Sequence, residues 1–205
     1  QQQQQQQQQR LTSPSQQLGS SRVTFADPAT REVRALCCAI NWSYTPGAGI
    51  AELPGAVADT QSVASALRAR YAGANVRLLV DDNRHDGLAT KREVLGEIDR
   101  LVSNITPGRE TLLFFCFAGH GTATTQEWRR SGDEIDTTGA NFLVTQDRQV
   151  ITNAELFQRL VKPIAKNRNV TLVCVMDCCR CSGAPLQLPY TYDVGTHTWA
   201  SVSAF

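Results

Sequence analysis

Thr111-Leu-Leu-Phe-Phe-Cys-Phe-Ala-Gly-His-Gly121 is the stretch that decides the fold. From Thr111 to Phe117 the chain is almost wholly apolar, and it stops at Ala118-Gly-His-Gly121. A short apolar run bounded by glycine is the mark of a strand buried on both faces. Such strands belong to parallel sheets, because the crossover helices cover both faces.

Three further segments have the same texture. Arg34 to Ile40 reads as a buried strand followed by Asn41 and Trp42; Asn75 to Val80 is closed by Asp81-Asp82-Asn83; Val170 to Met176 stops at Asp177-Cys-Cys-Arg-Cys-Ser-Gly183. Helical spacing separates them. Val63, Ala64, Leu67 and Tyr71 share one face of a helix over Ala58 to Tyr71, with Asp59 suited to its first turn. Thr90 is placed to cap a helix whose apolar face is Val94, Leu95, Ile98, Leu101 and Val102, ended by Thr106-Pro-Gly108. Asn153 is expected to cap a third helix over Ala154 to Val161, and Asn141 to Thr145 reads as a short strand. Strands alternating with helices predict an α/β fold: a mostly parallel sheet with helices on both faces. Sites in such sheets form at the carboxyl ends of the strands, where Gly119-His120-Gly121 and Asp177 to Gly183 both fall.

The rest of the chain sets bounds. Gln1 to Gln9 is an unbroken glutamine tract, and the polar residues that follow cannot bury enough apolar surface to offset ordering, so residues 1–30 are expected to be a disordered tail. The folded domain is expected over 31–205. Net charge is +1, so no strong field favours nucleic acid, a membrane surface or an acidic substrate. No apolar run reaches the roughly 18 residues of a membrane span, and no segment reads as a signal peptide. Of seven cysteines, Cys37, Cys38, Cys116 and Cys174 sit inside apolar runs as small hydrophobes. That usage fits a reducing, cytoplasmic setting better than a disulfide scaffold.

A thiol nucleophile needs a base or a cation to hold it as thiolate, and donors for the developing oxyanion. His120 and Cys179 lie 59 residues apart, each just past a strand end, where adjacent parallel strands would bring them together. Glycine on both sides of His120 permits a tight turn and close substrate approach. The Gly121 N–H, with that of Cys179, is the candidate oxyanion donor.

Several motifs now agree with one family. Arg34-Ala-Leu-Cys-Cys-Ala-Ile-Asn-Trp42, Leu53-Pro-Gly-Ala-Val-Ala-Asp59, Phe114-Phe-Cys-Phe-Ala-Gly-His-Gly121, Met176-Asp-Cys-Cys179, Ser182-Gly183 and Leu188-Pro-Tyr190 together resemble metacaspases, from about Arg34 to Tyr192. The resemblance implies a caspase-like three-layer sandwich and a cysteine endopeptidase with His120 and Cys179 as its dyad. The His-before-Cys order, at a separation near 50 residues, is that of caspases. It also implies cleavage of protein or peptide substrates after Arg or Lys, with Asp59 and Asp177 as the acidic pocket.

The chain departs from the family pattern in three places. Asp177-Cys-Cys-Arg-Cys-Ser-Gly183 carries one residue more than the usual nucleophile element and has Arg180-Cys181 in place of a His, so Cys178 and Cys181 are rivals to Cys179. Arg180 beside Cys179 would favour a thiolate. Calcium, which the family often requires, prefers six to eight oxygen ligands. Here a usual ligand position is Gln187, the acidic run before the third helix is Ile151-Thr-Asn-Ala-Glu155, and Asp133, Glu134 and Asp136 sit in the long loop, so calcium dependence is expected to be weak or absent. The chain also stops at Phe205, where the family's domain normally continues, so the sandwich is expected to be incomplete at its C-terminus. Two other readings compete: a non-catalytic caspase-like regulator or scaffold, and a zinc or redox site made by Cys178, Cys179, Cys181 and a His. Oligomeric state is not legible.

Overall fold

The computed structural model describes residues 31–42, 51–82, 86–122, 142–179, 190–193 and 198–201. The tail over 1–30 and most of the loop after Thr122 lie outside them. Four parallel strands form the central sheet: β1 (Glu32–Ala39), β2 (Asn75–Val80), β3 (Thr111–Ala118) and β7 (Val170–Asp177), in the order β2-β1-β3-β7. Helix α1 (Ala56–Arg70) follows β1, and α2 (Lys91–Val102) follows β2. A small antiparallel sheet of β4 (Gly121–Thr122), β5 (Phe142–Val144) and β6 (Val150–Thr152) leads into α3 (Asn153–Leu156), which continues as a π-helical turn over Phe157–Val161. β8 (Tyr190–Asp193) and β9 (Thr198–Ser201) pair as a separate antiparallel ribbon.

Alternation along β1 and β3 divides the core into two layers. Leu36, Cys38, Ile40, Phe115 and Phe117 pack under Val94, Leu95, Ile98 and Leu101 of α2 and under Leu156 and Leu160. Ala35, Cys37, Ala39, Cys116 and Ala118 face the other way, against Ala56, Val57, Ala64 and Leu67 of α1. Small residues on that face let α1 lie close to the sheet. The three-layer α/β sandwich expected from the sequence is therefore the fold found.

Three local expectations differ. The third helix is capped by Thr152, one residue before Asn153. Its side chain accepts from the Glu155 N–H while Glu155 accepts from the Thr152 N–H, a reciprocal capping box that Asn153 cannot make in that register. α2 stops at Val102, before Thr106-Pro-Gly108, with Thr90 capping it as expected through the Glu93 N–H. β7 reads as a strand covered on both faces, yet among the described residues it stands at the sheet edge, and Val173 and Val175 are 37% and 40% exposed. α1 packs over β1, β2 and β3, so the far edge lies beyond its reach.

Candidate active site

The carboxyl ends of β1, β3 and β7 leave the sheet level with one another. Ala39 pairs with Ala118, and Ala118 with Asp177. Two hydrogen bonds carry the register past the strand ends: Ile40 N–H to the Ala118 carbonyl at 3.0 Å, and Gly119 N–H to the Asp177 carbonyl at 3.1 Å. Asn41-Trp42, His120-Gly121 and Cys178-Cys179 therefore emerge side by side. The order reverses between β1 and β3, and ligands of open α/β sheets bind outside the strand ends at such a reversal.

His120 is pinned on one side. Its Nε2 lies 2.7 Å from the Ala51 carbonyl oxygen. A carbonyl can only accept, so Nε2 is the donor, and the tautomer compatible with this contact places the acceptor at Nδ1 in the neutral ring. The Ala51 segment is itself anchored, because Leu53 N–H donates to the Asn41 carbonyl at 2.8 Å and Val57 N–H to Asn41 Oδ1 at 2.9 Å. The Trp42 ring lies 5.9 Å from the His120 ring, tilted by 50°. The sequence reading treated Ile40-Asn41-Trp42 as the end of a strand and missed what Asn41 and Trp42 hold. Two polar or bulky residues directly after an apolar run, level with His120, were the available signal.

Gly121 brings the histidine turn against the nucleophile element. A Cβ built on Gly121 would lie 2.1 Å from the Cys179 carbonyl oxygen and 3.4 Å from the Cys178 Cβ. Only glycine permits that approach. The Val144 N–H donates to the His120 carbonyl, which puts Gly121 opposite Leu143 at a non-hydrogen-bonded position of the β4–β5 ladder. The Gly121 N–H is thus not used by β5.

Cys179 is exposed and is not disulfide-bonded. Cys178 is half-buried against the core and disulfide-bonded, which departs from the expectation of an all-thiol set; in that oxidised state it is neither a nucleophile nor a zinc ligand. Cys181, the remaining rival, and Arg180 lie outside the described residues. The other thiols are inert by burial, which pushes Cys37 and Cys174 up to about 12 and Cys116 to about 11, and raises Cys38 well above its ordinary value. Iodoacetamide at pH 7.5 on the native protein is expected to label Cys179 at least ~100-fold faster than Cys37, Cys38, Cys116 or Cys174. Peptide mapping after alkylation, with guanidinium-unfolded protein as reference, checks this. Comparable native labelling of Cys174 would contradict the burial described.

Asp59 lies in the first turn of α1 and Asp177 ends β7; both are exposed. Asp177 pairs in register with Ala118, which packs against α1, so both carboxylates stand on the α1 side of the strand ends. The Cys116 thiol beneath this face is raised mainly by burial, with the Asp177 charge adding to the rise and a hydrogen bond with Thr60 opposing it. Among the described residues no three His, Cys, Asp or Glu side chains converge on a point. Glu155 is engaged by the Thr152 N–H and by Lys91 at 2.9 Å. The described residues thus form no calcium cage. Asp133, Glu134, Asp136 and Gln187 lie outside the described residues.

Comparison with known proteins bears on the family and the fold. Residues 33–189 match the family model described as the metacaspase, peptidase C14 domain. Metacaspase-5 of Trypanosoma cruzi is 32% identical over 176 residues, covering 82% of this chain and 36% of that protein. Metacaspase III c of Phaeodactylum tricornutum is 31% identical over 120 residues, covering 58% of this chain and 33% of that protein. The chain thus spans about a third of the length of these curated relatives. Among solved structures, protein GSU0716 from Geobacter sulfurreducens superposes with a TM-score of 0.51 at 21% identity, over 72% of this chain and 50% of that one, a likeness of fold alone. With the family model spanning the sheet, the histidine turn and the nucleophile element, this chain belongs to the metacaspase family, within a caspase-like α/β sandwich.

Proposed function

We propose that this chain carries the catalytic half-site of a cysteine endopeptidase in which His120 and Cys179 form the dyad. Cys179 Sγ attacks the scissile carbonyl carbon while its proton passes to His120 Nδ1. The oxygen gains charge against the N–H groups of Gly121 and Cys179. The protonated His120 then gives its proton to the leaving amine, and water hydrolyses the thioester. Asp59 and Asp177 receive the side chain before the scissile bond, and two carboxylates there favour Arg or Lys. The observation that carries the reading is the backbone contact of Gly121 with Cys179, beside a histidine whose Nε2 is already spent on Ala51. Three buried thiols, Cys37, Cys38 and Cys116, that are not disulfide-bonded support a cytoplasmic location, a setting in which the Cys178 disulfide is open to reduction.

Hydrolysis of fluorogenic peptides bearing Arg, Lys or Asp before the scissile bond tests this, with and without calcium. Cleavage after Arg or Lys that changes less than about twofold on adding calcium or chelator is the expected result. Cleavage after Asp alone would overturn the assignment of Asp59 and Asp177. No cleavage by folded protein would favour the regulatory or scaffold reading. Strict calcium dependence would place a cation site among residues beyond those described.

A further inference from the structure

Trp42 occupies a backbone conformation that a bulky side chain rarely adopts, with φ at 65° and its ring buried. Left-handed backbone at such a residue is unfavourable unless the surroundings impose it, and such strain clusters at functional sites. Here the imposing group is Asp81. Its Oδ2 accepts the Trp42 N–H at 2.7 Å, across from the end of β1 to the end of β2. Asp81 is 4% exposed, and its Oδ1 is buried with no hydrogen-bond partner among the described residues. A buried carboxylate satisfied by a single backbone donor is costly. Two unfavourable features thus converge on one hydrogen bond, and that bond orients the ring beside His120.

From this convergence we propose that Asp81 and Trp42 form a positioning brace for His120: the carboxylate locks Trp42 in its left-handed turn, and the indole then blocks rotation of the imidazole about its side-chain bonds. The Ala51 carbonyl fixes one ring nitrogen and the indole restrains the ring plane, so the imidazole is held in one orientation. Neither Asp81 nor Trp42 touches the reacting atoms. Asn41 joins the two restraints, since its neighbours in sequence are the core residue Ile40 and Trp42, and its own groups anchor the Ala51 segment. The brace rests on the dyad reading for its catalytic consequence, but its geometry can be measured without it.

The test uses four variants of the 205-residue chain: Trp42→Leu, Trp42→Phe, Asp81→Ala and Asp81→Asn. Circular dichroism first establishes that each is folded; should Trp42→Leu not fold, the Asp81 pair carries the test. His120 ring signals are assigned in a histidine-labelled sample by their loss in His120→Ala. Trp42→Leu is expected to remove the ring-current shift of those signals and to lower kcat about 100-fold with KM changed less than about twofold, since small misplacement of a catalytic group costs that much. Trp42→Phe keeps an aromatic face and is expected to recover most of the rate. Asp81→Ala is expected to lower kcat at least about tenfold and to broaden or move the His120 signals. Asp81→Asn retains an acceptor for the Trp42 N–H and is expected to stay within about threefold of the parent. Unchanged His120 signals in folded Trp42→Leu and Asp81→Ala would overturn the brace. Equal loss in Asp81→Asn and Asp81→Ala would overturn the hydrogen-bond assignment. A parent chain that hydrolyses no peptide yet shows the shifted His120 signals, lost in Trp42→Leu, would sink the dyad reading and leave the brace standing.

Discussion

Cys179→Ala is expected to lower kcat for peptide hydrolysis by at least ~10⁴-fold, with the thermal midpoint within a few degrees of the parent. The thiol is exposed and makes no part of the core, so its removal leaves packing unchanged. His120→Ala is expected to lose nearly as much, and the double variant no more than the worse single one. Residues that act as one unit lose their joint contribution on the first removal. Steady-state rates with active-site titration by a thiol-directed inhibitor measure all three. Full activity in Cys179→Ala would move the nucleophile to another cysteine. Additive losses in the double variant would deny that the two act as a dyad.

Gly121→Ala carries the second large effect, and its cause is steric. The new methyl group would lie 2.1 Å from the Cys179 carbonyl oxygen, a backbone atom that cannot rotate away. The nucleophile element must therefore shift by an ångström or more, carrying both the thiol and the proposed oxyanion donor out of place. Loss of one oxyanion donor alone costs about 10²–10³ in kcat, and a comparable fall is expected here. Gly96→Ala serves as contrast. It lies inside α2 with nothing within 4 Å of the added Cβ, so activity should be unchanged and stability should rise by roughly 0.5–1 kcal/mol. Rates and urea midpoints for the two variants check the pair. Retention of full activity in Gly121→Ala would show that the contact between the two loops is absent in solution.

Much of the α/β architecture was legible because its determinants are local. Apolar runs of strand length at Thr111–Ala118 and Asn75–Val80 had few alternatives, and the periodicity of Val94, Leu95, Ile98 and Leu101 left one helical reading for α2. The tandem of His120 and Cys179 at strand ends was legible for the same reason. What escaped was set by pairing across the chain. β4, β6, β8 and β9 are two to four residues long, and their existence depends on a partner strand more than on their own composition. β7 is as apolar as β3, yet among the described strands it lies at the edge, because strand order is a property of the whole sheet.

The sequence by itself determined that strands and helices alternate, that a histidine and a cysteine follow two of those strands, and that glycines flank that histidine on both sides. Tertiary structure alone decided which exits stand side by side. It levelled Ala39, Ala118 and Asp177, distinguished the exposed thiol of Cys179 from the disulfide-bonded Cys178, and set the Ala51 carbonyl and the Trp42 ring around His120. The reason is physical: hydrogen bonds between residues 39 and 69 positions apart, such as Trp42 to Asp81 and His120 to Ala51, leave no periodicity in the chain that makes them.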